Sequence, residues 1–300
     1  MKIALCFIIN YQHVLNKEDI WRKWIHFNKN IINVYFYYSD KTKIKSTWIL
    51  EHTIPEEFIH PTSYFHVIPA YFSLFKYAMS HDIENTWFCL LTDSCCPIIS
   101  PKKFKNLFLE NYKKSIIKWK PAWWNVNLVR RANLVRIPCE LHLANDPWFI
   151  IRREDIEVIN HYFQRKPDAV KLICDGGVAN ESLFAIILKT YNRLSPDFVE
   201  NSITHATDWS RMASSTSPYL FKEATKENTK FIEQSLKENP FVMFIRKVAS
   251  EFPDDVLHKY LNFEEEEKEM KKKDFIRGVA FNLMVLFLMF SYYYYYFKYI

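Results

Sequence analysis

The stretch that decides the fold runs Trp87-Phe88-Cys89-Leu90-Leu91-Thr92-Asp93-Ser94-Cys95-Cys96-Pro97. Its first half is apolar or small without alternation and reads as a strand buried on both faces. Thr92, Asp93 and Ser94 end the run, and Pro97, which has no N–H, is expected to forbid further sheet pairing. Polar residues therefore stand where a buried strand surfaces. In open α/β sheets that is where ligands bind, outside the carboxyl ends of the strands. A core strand closed by a turn accounts for the same residues with no functional role for Asp93.

Working outward, Ile3 to Ile9 reads as a first buried strand with Asn10, Gln12 and His13 at its end. The charged start and apolar run share the pattern of a short signal peptide, but no small-residue cleavage site follows. Ile20, Trp21, Trp24, Ile25 and Phe27 have helical spacing over 18–27, and 31–38 reads as a second strand ending at Ser39 and Asp40. Strand, helix and strand make a βαβ unit. A helix over 69–80 then delivers the chain into the opening stretch. Parallel strands would bring Asn10, Asp40 and Asp93 to one rim of an α/β sheet.

Downstream, helices are expected over 102–112, 155–163 and 183–188, and strands over 148–151 and 240–247. The aromatic, basic segment Trp119 to Trp124 reads either as a loop over the rim or as core packing. Asp175-Gly176-Gly177 makes a turn leading to Asn180-Glu181-Ser182, at the mouth of an apolar helix where a carboxylate also serves as a cap. The expected strand 240–247 ends in the basic pair Arg246 and Lys247.

Composition narrows the function classes. With 49% hydrophobic and 17% aromatic residues the chain has a real core, and its three glycines leave no room for a Gly-rich phosphate loop. Any phosphate must be held by side chains. A net charge of +6 spread among carboxylates suits a small anionic ligand or a membrane surface better than nucleic acid. The six cysteines show no zinc spacing and read mainly as free thiols. We divide the chain into a catalytic domain over 1–255, a charged helical linker over 256–278 and a transmembrane helix over 279–297. The alternative for the last is a buried terminal helix. Basic residues flank its near side more heavily, so the positive-inside rule places the large domain in the cytosol, as in a tail-anchored protein.

Five stretches in order, Trp87 to Pro97, Trp148-Phe-Ile-Ile-Arg-Arg, Asn180-Glu-Ser-Leu-Phe, Asp208-Trp-Ser-Arg and Phe244-Ile-Arg-Lys, resemble the core-2/I-branching N-acetylglucosaminyltransferase family, which includes the peptide O-xylosyltransferases. The resemblance covers roughly 1–255. It implies a GT-A type fold, a central mostly parallel sheet flanked by helices, and inverting transfer of N-acetylglucosamine or xylose from a UDP-sugar to a hydroxyl of a glycan or glycoprotein, with no metal ion or other cofactor. Ordinary GT-A enzymes hold the diphosphate through a metal on Asp-x-Asp, a motif this sequence lacks. Arg246 and Lys247 match the family's basic pair, which stabilises the leaving diphosphate. Arg211 is a further candidate there, and Asp40 stands where the family contacts the nucleoside. Glu181 fits the catalytic glutamate, a single general base for the acceptor hydroxyl. Asp93, Trp148 and Trp209 belong to the donor or acceptor rim, although core packing also explains the tryptophans. The family's anchor is N-terminal, which the expected C-terminal anchor does not follow. The rival reading is a catalytically silent, membrane-tethered carbohydrate-binding or structural protein of the same fold.

Overall fold

The computed structural model describes residues 1–9, 12–63, 65–126, 131–214 and 216–299; Asn10, expected at the rim, lies outside the described residues. In chain order the strands are β1 (Lys2–Ile8), β2 (Ile32–Tyr37), β3 (Asn85–Thr92), β4 (Cys96–Pro97), β5 (Ser115–Ile116), β6 (Trp119–Pro121), β7 (Leu143–Asn145), β8 (Ile150–Arg152), β9 (Val199–Glu200), β10 (His205–Thr207) and β11 (Phe244–Arg246). The α-helices are α1 (Glu18–His26), α2 (Thr47–Glu51), α3 (Ile68–His81), α4 (Pro101–Asn111), α5 (Arg153–Arg165), α6 (Pro167–Cys174), α7 (Leu183–Thr190), α8 (Lys226–Glu238), α9 (Asp254–Leu261) and α10 (Phe263–Tyr299).

The main sheet has the order β2-β1-β3-β8-β5-β9. Strand β1 pairs in parallel with β2 and β3, β5 pairs in parallel with β9, and β8 runs antiparallel to both β3 and β5. This is the mixed α/β architecture with a mostly parallel sheet that the unbroken apolar runs predict. Successive β3 side chains feed opposite cores: Trp87, Cys89 and Leu91 join one cluster with Trp21, Trp24, Phe104 and Phe244, while Phe88 and Leu90 join the other with Tyr71, Phe75, Ile156 and Phe184. Two-sided burial leaves no face for polar residues until the strand ends.

The chain then departs from the expectation at Pro97. Cys96 and Pro97 do pair, antiparallel to Ile245 and Phe244, in a small sheet of order β10-β11-β4. Proline is tolerated because β4 is an edge strand, and the next residue resumes the ladder, with Ile98 N–H donating to Met243 C=O at 2.9 Å. Two buried indoles hold this junction: Trp21 Nε1 donates to Cys95 C=O at 3.0 Å and Trp24 Nε1 to Ile99 C=O at 2.8 Å.

Other boundaries shift too. The strand expected over 148–151 begins at Ile150, and that expected over 240–247 shortens to Phe244–Arg246. Trp119–Pro121 forms a ribbon with β7 rather than a loop, and Trp123 stays 58% exposed instead of entering the core. The packed core also continues past residue 255, because Val256, Leu257, Leu261 and Phe263 are buried against α1-side residues. All six cysteines are free thiols.

Helix α10 is tied to the domain near its start. Phe263 stacks on Phe27 at 5.8 Å, Glu267 pairs with Lys23 at 2.9 Å, and Glu266 and Glu269 bond Lys102. Beyond that it is exposed. It is long and apolar enough to cross a membrane, with a mean hydropathy of 1.7 in its most apolar window.

Gly176 has a steric rather than a conformational reason. A Cβ placed there would lie 2.1 Å from Arg131 C=O and 2.5 Å from Asn133 N, both backbone atoms that cannot rotate away. We expect Gly176→Ala to cost about 1–3 kcal/mol, lowering the melting temperature by about 2–4 °C per kcal/mol. A thermal melt identical to that of the native chain would show that the 131–133 segment does not pack against this turn.

Candidate functional site

A cleft of about 610 Å³ opens at the carboxyl ends of the parallel strands, floored by Ile8, Thr92, Asp93 and Ser94. Arg246, Lys247 and the following 249–251 segment form one wall. Val178, Asn180 and Glu181 belong to another, with Pro147, Trp148 and Trp209 completing the lining. Six of the residues expected at the site, Asp93, Trp148, Glu181, Trp209, Arg246 and Lys247, are therefore brought together across more than 150 positions of sequence.

The basic wall exists because β4 fixes β11 beside the end of β3. Arg246 is the last residue of β11, 8% exposed, with its guanidinium 4.6 Å from the Trp148 ring centre. Burial lowers its pKa, while the Cys95 thiol, Tyr71 and the charge of Asp93 oppose that shift. Arginine stays protonated nonetheless. Among the described residues, its Nε has no hydrogen-bond partner, and neither does the buried Nε1 of Trp148 beside it. Lys247 donates to Ser217 Oγ at 2.7 Å; burial and the neighbouring Arg246 lower its pKa, and Asp93 raises it. Asn16, itself part of the lining, braces this wall, donating through Nδ2 to Val248 C=O at 2.7 Å and through N–H to Asp93 C=O at 2.9 Å.

The acidic wall is built on a strained turn. Val178 has φ 51, left-handed backbone that a β-branched residue rarely adopts, and its N–H donates to Phe65 C=O at 2.8 Å. The single 3₁₀ turn Ala179–Glu181 follows. Buried Asn145 clamps it: Nδ2 donates to Asn180 C=O at 2.8 Å, and Oδ1 accepts from Ala185 N–H at 3.1 Å. Glu181 does not cap α7; that position belongs to Ser182, whose side chain makes no cap bond. The Glu181 carboxylate instead pairs with Arg131. Burial raises its pKa, and the charges of Arg131 and Arg246 partly offset this.

Two expected site residues lie elsewhere. Asp40 caps the short turn Lys41–Lys43, accepting from Thr42 N–H at 3.0 Å and Thr42 Oγ1 at 2.6 Å, and pairs with Lys43 at 3.2 Å. Arg211 is spent on Asp208 at 2.7 Å and Glu227 at 3.0 Å, and lies 4.0 Å over the Tyr219 ring. Neither lines the cleft.

Sequence reasoning missed Arg131 and Asp146. The first sits in a loop without a periodic pattern, and nothing in the sequence marks it. Asp146, open to solvent on one side but otherwise crowded by protein, has its carboxyl raised to about 6 by burial and then by the charge of Glu181, against Lys120, Lys118 and Arg246. Among the described residues, no three His, Cys, Asp or Glu side chains gather closely enough to hold a metal ion.

No curated protein matches the chain. The family model described as Core-2/I-Branching enzyme matches residues 37–233, a span that contains Asp93, Trp148, Glu181 and Trp209 and ends before Arg246 and Lys247. That span exceeds half of the 300 residues, and with the fold and cleft above it settles the family: the chain belongs to the Core-2/I-Branching enzymes, which are glycosyltransferases.

Proposed function

We propose that the cleft carries out an inverting, metal-independent transfer of N-acetylglucosamine or xylose from a UDP-sugar to a hydroxyl of a glycan or glycoprotein, on a scaffold of the GT-A type. The observation that carries this reading is that Glu181, Arg246, Lys247 and Asp93 line one cleft, with Glu181 near enough to Arg246 to feel its charge. In a single displacement the acceptor oxygen attacks the anomeric carbon and its proton passes to the Glu181 carboxylate. The bond from that carbon to the diphosphate oxygen breaks, and UDP leaves with the electron pair. Arg246 and Lys247 stabilise the negative charge as it develops, through charge-assisted hydrogen bonds. The unpartnered Nε of Arg246 has a donor to give to a phosphate oxygen. A leaving group stabilised in this way needs no acid, so one carboxylate suffices.

Helix α10 supports a second element of the proposal, single-pass anchoring with the domain on the cytosolic side. Lys271, Lys272, Lys273 and Arg277 lie on the near side of its apolar stretch. A rival reading, a catalytically silent sugar-binding protein, draws on the Arg131 pair that occupies Glu181.

UDP release measured in EDTA with a panel of UDP-sugars decides between turnover and binding alone. We expect metal-free activity, and Glu181→Gln should lower kcat about 10²- to 10⁴-fold. Strict dependence on added Mn²⁺, or full activity in that variant, defeats the mechanism.

The pH profile tests the base itself. Glu181 must be ionised to accept a proton, so activity falls as pH drops through its pKa, which burial places above the ordinary glutamate value of 4.5. The groups that bear on it are Arg131, Arg246, Asp146 and Tyr71. Removing a cation disfavours the carboxylate, so Arg131→Gln should move the acid limb of kcat/KM to higher pH; a limb that stays put excludes Glu181 as the titrating group. Deleting residues 275–300 should move the protein from the membrane pellet to the soluble fraction with its UDP release intact.

A further inference from the structure

Beside the cleft, a row of alternating cations and indoles leads inward from the surface to Glu181. Lys120 Nζ lies 4.2 Å from the ring centre of Trp123, and Trp123 meets Trp124 edge-on at 5.1 Å. The Arg131 guanidinium lies 5.5 Å from each indole and continues to the Glu181 carboxylate. Trp123 is 58% exposed, an unusual position for the largest apolar side chain unless something covers it. The row carries more positive than negative charge: Arg131, Lys118 and Lys120 face Glu181 and Asp146.

The pair at its inner end conflicts with the proposed chemistry. Arg131 holds Glu181 Oε2, and its charge favours the ionised carboxylate, which makes the paired group a weaker base for a hydroxyl proton than it would be with Arg131 drawn away. Arg131 and Glu181 are only partly buried, with side chains 34% and 24% exposed, so replacing one carboxylate on Arg131 by another anion costs little.

Resting on the transferase reading above, we propose that Arg131 selects anionic glycan acceptors: a sugar stacks on Trp123, its carboxylate or ester anion takes over Arg131 with help from Lys120, and Glu181 is released to act as base. The indole face fits the C–H face of a pyranose and leaves the ring hydroxyls pointing outward. The guanidinium fork fits a carboxylate or sulfate through two parallel bonds. Together these favour an acidic sugar over an acidic peptide, which would have no use for the exposed ring. Arg131 touches the acceptor in this scheme and also decides when the base is free.

The test uses the full chain in detergent micelles and matched glycosides that differ in one charge: a β-glucoside against the corresponding glucuronide, and a β-galactoside against its 6-sulfate. Direct binding is read by calorimetry, and UDP release is read with each donor. The acidic member of each pair should bind about tenfold more tightly, the worth of one charge-assisted contact. Arg131→Met should bring the pair to parity, and Trp123→Ala should weaken both members. In the native chain the preference should shrink with added salt while neutral binding stays constant, a readout that needs no variant to fold. Equal binding within each pair, a preference that survives in Arg131→Met, or selection of an acidic peptide over every glycan overturns the proposal. Acid-selective binding without UDP release sustains the acceptor subsite and defeats the transferase reading. UDP release on neutral acceptors alone does the reverse.

Discussion

The pairing of Cys96 and Pro97 with Ile245 and Phe244 is the contact on which the site depends. Strand β3 is sealed on both faces, so its chain can emerge only at Thr92, and within a few residues it is bound into a second sheet. That return fixes β11 above the end of β3. Without it Arg246 and Asp93, more than 150 positions apart, would share no wall. The two indole bonds from Trp21 and Trp24 hold the return in place, which explains why polar N–H groups sit inside an otherwise apolar cluster: each satisfies a carbonyl that the turn would leave buried and unpaired.

Burying a guanidinium is costly unless something answers its charge. Here the compensation is incomplete: the Trp148 face, the Cys95 thiol and the nearby Asp93 charge bear on Arg246, yet among the described residues its Nε has no acceptor. Such a group favours any ligand that brings negative oxygen into the cleft. On the opposite wall the balance is local and closed, with Glu181 answered by Arg131. One wall is thus poised for an anion, and the other is occupied until its partner is drawn away.

Long-range order was legible where single strands carry uninterrupted apolar runs. Strands β1, β2 and β3 and helices α1, α3 and α4 announce themselves through burial on two faces or one, and Glu181, Arg246 and Lys247, singled out at the ends of such elements and by the family resemblance, line one cleft. Short pairings left no signal. Strand β8 begins after Trp148 and Phe149 although both are apolar, and Phe149 C=O still accepts from Leu90 N–H at 3.1 Å as the next pair of the β3–β8 register. Asp40 and Arg211 were misleading for one shared reason: a charged residue in a turn finds a partner two or three positions away, Thr42 and Asp208 here, before any distant cleft can use it. Arg131 was illegible because its ion pair with Glu181 spans 50 positions of sequence.

The way α10 leaves the domain has a consequence for reach. From the Glu269–Lys102 bond to residue 279 a continuous helix rises about 1.5 Å per residue, so that about 15 Å separates that bond from the start of the apolar stretch. A helical spacer of that kind is a stiff arm rather than a leash. Embedded in a bilayer, it would hold the cleft at one height and within a narrow range of tilts. Acceptors would then be sorted by how far they stand from the lipid surface before any side chain inspects them.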